Sequence, residues 1–239
     1  MSSIPTWPEL RTAFPPLGPP ERDVSDGLNA LLCVTHAPLE ALEVDAIINP
    51  TDAALSHAAP LPRRIAAAAG AGLRRECESH GKLALGAAAL TRGFALPARA
   101  VVHTALPRWN PEFRTACLAA LGESVGACLR QLGRDTPPLR SVALPVLHGA
   151  GWPEEAACRE TLRALRDWLE AAEPAARPRV VLCADTAAQH ELLQRVLPAL
   201  FPRRADPSRD DARPFDAPPP QPKKSAAGAA VAATAAGAA

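Results

Sequence analysis

Asn49-Pro50-Thr51-Asp52 and His148-Gly149-Ala150-Gly151-Trp152 are the stretches whose residue types could do chemistry. An asparagine amide both donates and accepts, and an ionised aspartate accepts, so Asn49 and Asp52 together suit the hydroxyls of a polar ligand. The same two side chains can equally cap the turn that follows a strand, and the residues alone leave both uses open. Arg63 and Arg64 follow closely enough to meet an anionic group, although paired arginines are more often a solvated face. His103 is tempting as a base, but a histidine inside an apolar strand is usually a hydrogen-bonded structural residue. No Ser/His/Asp or Cys/His set has motif support among the six histidines and six cysteines. Gly81-Lys82 is no phosphate loop: no glycine precedes it at the right spacing, and no Ser or Thr follows.

The elements that must position these residues are legible from hydrophobic pattern. Val44–Ile48 is a short, β-branched apolar run that reads as a buried strand, ending where Pro50 removes a ladder donor. A polar loop and an alanine-rich helix over Leu61–His80 follow, the helix interrupted near Gly70 and Gly72. A strand end, a loop and a helix start are where α/β folds place ligands. Further strands are expected over Leu28–Thr35, Ala87–Thr91, Ala100–Thr104, Ser141–Leu147 and Val180–Cys183. Helices are expected over Glu112–Gly133, after Pro153, and after Thr186, whose spacing to Gln189 fits a capping box. Phe113, Cys117, Leu121, Val125, Cys128 and Leu132 make one core-facing stripe. Val44–Ile48 and Ser141–Leu147, apolar on both faces, should be adjacent and central. The alternation predicts an α/β/α sandwich.

Composition sets the boundaries. At 239 residues the chain can hold one sizeable domain with tails. Residues 1–27 carry too many prolines for a helix and read as a disordered arm, residues 28–201 as the domain, and residues 202–239 as a disordered Pro/Ala-rich tail. The net charge of +1 argues for neither nucleic acid nor membrane. The cysteines form no C-x-x-C pair and read as reduced, buried thiols, with no metal site and no cofactor expected. With no signal peptide and no spanning run, the expected setting is intracellular, cytoplasmic or nuclear.

Several motifs, in order, resemble one family. VDAIIN at Val44–Asn49, N-P-T-D at Asn49–Asp52, A-A-A-G at Ala67–Gly70, TRGFALPARAVVHT at Thr91–Thr104 and GWPEEAA at Gly151–Ala157 are similar to the blocks of the macro domain, an ADP-ribose-binding α/β module. The likeness covers roughly residues 29 to 200. The proline-rich, glycine-poor loops and PRWNPEFRTA at Pro107–Ala116 most resemble the macro domain of the ganglioside-induced differentiation-associated protein group.

The resemblance implies a three-layer α/β/α macro-domain sandwich around a mixed, largely parallel central sheet. It also implies a ligand site lined by Asn49, Asp52, Leu61, His148, Gly149, Gly151 and Trp152, taking ADP-ribose or an ADP-ribosylated protein. The departures are as informative. Ala37-Pro38-Leu39 stands where the family has G-D-[IV], so the adenine acceptor is missing. His57–Pro62 has no glycine where the family has a glycine run, and Pro60 and Pro62 lack the N–H groups that hold phosphate. The aspartate of hydrolytic macro domains aligns with Pro62. Ala150 replaces the ribose-stacking aromatic, and the chain has no tyrosine; Trp152 is either its substitute or a core residue. The resemblance therefore implies a non-catalytic, degenerate binder of ADP-ribose or a related nucleotide, or a scaffold. The alternatives are an ADP-ribosyl hydrolase with a rebuilt site, and an RNA or poly(A) module using Arg63, Arg64, Arg108 and Trp109.

Overall fold

A computed structural model describes residues 4–12, 14–134 and 137–204. In chain order these form α1 (Asp26–Asn29), β1 (Leu32–Thr35), β2 (Ala46–Thr51), α2 (Pro60–Ala69), α3 (Ala71–His80), β3 (Ala88–Arg92) and β4 (Ala100–Ala105). Then come α4 (Arg114–Gln131), β5 (Ser141–Pro145), α5 (Glu154–Ala171), β6 (Arg179–Cys183) and α6 (Ala187–Leu200). The strands make one sheet in the order β1-β6-β5-β2-β4-β3, parallel except for the antiparallel β3–β4 pair. β2 and β5 lie adjacent in its middle, as their unbroken apolar character requires.

Side-chain alternation divides the core between two faces. Ala46, Ile48, Val142, Leu144, Val180 and Leu182 pack with α4, α5 and α6. Ile47, Ala143, Val181 and Cys183 face the other way, with α2 and α3. The result is the expected three-layer sandwich. Asp45 fixes how β2 and β5 begin side by side. Its carboxylate accepts the N–H of Arg140 at 2.8 Å and of Ser141 at 2.9 Å, and the Asp45 N–H donates to the Ser141 hydroxyl at 2.8 Å.

β2 does not stop at Pro50, as its sequence suggests, but runs on to Thr51. The carbonyls of Asp45 and Thr51 accept from Ala100 and Leu106 on the β4 side. By alternation the missing Pro50 N–H faces the β5 side, where pairing has already ended at Ile47 and Ala143. No ladder bond is lost. The helix expected over Leu61–His80 is two, α2 and α3, broken at Gly70, whose φ of +85° favours glycine. Phe113 leaves the core stripe and is exposed, because α4 begins one residue later.

The N-terminal segment packs against the domain. Its prolines bar a helix but do not prevent packing. Thr6 bridges Cys33 beside β1, the Trp7 N–H donates to the Leu32 carbonyl at 2.7 Å, and the Trp7 indole is fully buried, donating to the Phe201 carbonyl at 2.8 Å. Farther along, Leu17 and Glu21 donate to the carbonyls of Arg195 and Ala199. The segment thus covers the exposed edge of the sheet. Pro202 to Arg204 continue this packing: Arg203 lies over the Trp7 ring at 4.2 Å. The tail expected beyond them lies outside the described residues.

Candidate functional site

The fold opens one crevice by construction. After β2 the chain crosses to α2 on one face, and after β5 it crosses to α5 on the other. Adjacent parallel strands whose connections leave in opposite directions part at their C-terminal ends, the position where open α/β sheets bind ligands. Here β2 and β5 pair only at Ala46 and Ile47; past that point β2 follows β4 and β5 follows β6. Residues 52–59 leave β2 on one side of this parting, and residues 146–151 leave β5 on the other.

On the β2 side, Asn49 is fully buried and its Nδ2 donates to His103 Nδ1 at 3.1 Å. His103 therefore carries its proton on Nε2, which donates to the Thr91 hydroxyl at 2.9 Å. Burial pushes the His103 pKa down to about 3, so the ring is neutral and structural. The Asn49 Oδ1 has no protein donor. Asp52 closes its own turn: Oδ1 accepts the N–H groups of Ala54 at 3.0 Å and Ser56 at 2.9 Å, and Oδ2 accepts the Ser56 hydroxyl. The Ser56 hydroxyl foremost, opposed by partial desolvation, holds the Asp52 carboxyl below its ordinary range. Asp52 is thus ionised and caps its own turn.

Leu61 is the second residue of α2 and half-buried against the α2–α3 core. A helix normally presents several free N–H groups at its start. Pro60 and Pro62 supply none, and the Arg63 N–H already donates to the Ala59 carbonyl. Leu61 holds the sole free main-chain donor in that first turn. Arg63 Nη2 donates to the Ala58 carbonyl at 2.6 Å. Arg64 turns to two carboxylates. Its Nε donates to Glu40 at 2.8 Å, its Nη1 to Asp185 Oδ2 at 3.0 Å, and its Nη2 to Asp185 Oδ1. The Asp185 contact first, then Glu40, raises the Arg64 pKa above its ordinary value.

On the β5 side, Gln189 Oε1 accepts the Asp185 N–H at 3.0 Å, which fixes the amide so that its Nε2 faces His148 Nε2 at 3.2 Å. His148 accepts there and is protonated at Nδ1. Gly149 and Gly151 shape the turn, Gly151 with φ +79°. Trp152 does not line the crevice. It is buried in the α4–α6 face, donates to the Pro107 carbonyl at 3.1 Å, and meets Trp109 with ring centroids 5.0 Å apart.

The sequence-derived residues thus divide. Asn49, Asp52 and Leu61 stand on one side of the crevice, His148, Gly149 and Gly151 on the other, and Trp152 belongs to the core. Glu40, Asp185 and Gln189 are additional: the capping-box spacing marks Gln189 only as a helix cap, and the tertiary fold alone brings the three to Arg64 and His148. Among the described residues, no group of three or more His, Cys, Asp or Glu side chains is placed to hold a metal ion. The six cysteines are buried and free, and burial pushes the thiols of Cys77 and Cys183 up to about 11 and those of Cys128 and Cys158 up to about 12. At neutral pH these four are protonated and poor nucleophiles.

Residues 48–160 match the family model of the Macro domain. The chain is 30% identical over 205 residues to the ADP-ribose glycohydrolase MACROD1 of Bos taurus, covering 84% of this chain and 62% of that one. It is 30% identical over 181 residues to the GDAP2 homolog of Nematostella vectensis, covering 75% of this chain and 36% of that protein. The chain therefore spans less than two thirds of the length of either relative. Among solved structures, the macro domain of ganglioside-induced differentiation-associated protein 2 superposes with a TM-score of 0.74 at 26% identity, covering 84% of this chain and 96% of that one. A Trypanosoma brucei macrodomain in complex with ADP-ribose superposes at 0.63 with 25% identity, covering 74% of this chain and 72% of that one.

Proposed function

The chain belongs to the macro-domain family, and we propose that within it this protein is a non-catalytic module whose crevice binds ADP-ribose, or a protein bearing it, weakly and without turnover. One observation carries the reading: Pro60 and Pro62 leave Leu61 as the single free main-chain donor in the first turn of α2, where a diphosphate would need several. Three carboxylates at the crevice, Glu40, Asp52 and Asp185, outnumber Arg63 and Arg64 there and oppose an anionic ligand further. The groups that could serve as acid or base are engaged or missing: the Asp52 carboxylate is taken up by three hydrogen bonds from its own turn, His103 is buried and neutral, and Pro62 offers no side-chain acid or base.

The likeness to a glycohydrolase keeps hydrolysis as the competing reading. A turnover assay on a mono-ADP-ribosylated protein separates the two. No release above the uncatalysed rate is expected, and robust release that Asp52→Ala or His148→Ala abolishes would establish a rebuilt catalytic site instead. Against the RNA reading, one side of the Trp109 ring that would stack a base is occupied by Trp152.

A further inference from the structure

We propose that Arg64 is a strap that shuts the crevice, and that a ligand enters only when the strap releases. The inference rests on the reading of the crevice as the ligand site, and it adds what controls access to it. Arg64 belongs to α2, which follows β2, whereas Asp185 follows β6, and between β2 and β6 in the sheet stands only β5. The bidentate Arg64–Asp185 contact therefore joins the segments that leave the two strands flanking β5 at their C-terminal ends, the side on which the crevice opens. Glu40, on the short helical turn Leu39–Ala41 after β1, takes the remaining edge of the same guanidinium through Nε at 2.8 Å. One planar side chain thus joins the segments that follow β1, β2 and β6. The β5 side is tied in separately, through His148 and Gln189.

The strap is built to hold yet able to open. The Arg64 and Asp185 side chains are each 38% exposed, so water and salt reach their contact, while Glu40 is 16% exposed and depends on Arg64 for its charge partner. With two carboxylates on one guanidinium, the closed strap carries a net charge of −1 toward an incoming phosphate. A protein that binds only from a minor open state shows an affinity reduced by the fraction open. Weakening the strap should therefore tighten binding, whereas an arginine that gripped the ligand would show the reverse.

The test uses the full chain as wild type, Arg64→Met and Asp185→Asn, with the double variant beside them. Hydrogen exchange without ligand reads the strap itself. Isothermal titration with ADP-ribose reads its effect. Each single variant should speed exchange in residues 58–66 and 184–190 and leave the β4 and β5 amides protected; Asp185→Asn, which opens the strap without removing the cation, should also tighten ADP-ribose about fivefold, the scale of one partly exposed ion pair. The double variant should gain nothing more, since both changes open the same contact. Unchanged exchange in both single variants, or weaker ADP-ribose binding by Asp185→Asn, would overturn the proposal. Faster exchange with no ADP-ribose binding by any of the four proteins would uphold the strap and refute the nucleotide reading instead.

Discussion

At the scale of single residues, proline decides most of the site's character. Pro50 falls just after β2 and β5 part, and Pro60 and Pro62 leave the first turn of α2 with Leu61 as its single free donor. Restoring donors should restore affinity. A Pro60→Gly, Pro62→Ala double variant regains two N–H groups, and should bind ADP-ribose about a hundredfold more tightly, at roughly 1.5 kcal/mol per hydrogen bond to a charged group. Titration checks this, and unchanged affinity would show that the loop is not where the loss lies. His103 supplies a second expectation. Its pKa in the fold is about 3, well below the ordinary value near 6.5, so the unfolded chain binds the proton more readily. Its contribution to stability is complete above about pH 6.5 and falls on acidification by about 1.4 kcal/mol per pH unit, until the ring titrates in the fold near pH 3. Urea unfolding of His103→Gln and wild type between pH 4 and 7 should show a weaker acid dependence in the variant.

At the scale of elements, polar anchors fix what apolar packing leaves free. The Asp45 carboxylate holds the starts of β2 and β5 by accepting three hydrogen bonds from Arg140 and Ser141. Asp45→Ala leaves those donors unmatched and should lower stability by about 1–3 kcal/mol, measured by chemical unfolding. Trp7 is the anchor of the N-terminal segment, and Trp7→Ala should cost about 3–5 kcal/mol. A loss under about 1 kcal/mol would mean that the segment adds little to the domain. The strands and long helices are legible in the sequence, because Val44–Ile48, Ser141–Leu147 and the stripe from Cys117 to Leu132 carry their periodicity in consecutive residues. The Trp7 contact is not, since its partners Leu32 and Phe201 lie far along the chain and proline content describes local conformation only.

At the scale of the whole molecule, the family pattern fixes the sandwich and the place of the crevice, and the structure determines what the crevice retains. The loss of glycine and aspartate at residues 57–62 is readable directly. That Asp52 is spent on its own turn, that Trp152 turns into the core, and that Arg64 faces Glu40 and Asp185 are not, because each depends on side-chain direction at a loop. Among the described residues no helix is long and apolar enough to cross a membrane. The central claim is that a macro-domain fold has kept its crevice and lost its grip on diphosphate. Its most direct test is isothermal titration of the full chain with ADP-ribose. Two or three missing hydrogen bonds at about 1.5–3 kcal/mol each would shift a micromolar site to roughly millimolar. A dissociation constant in that weak range is the predicted result, and low-micromolar binding would contradict the account.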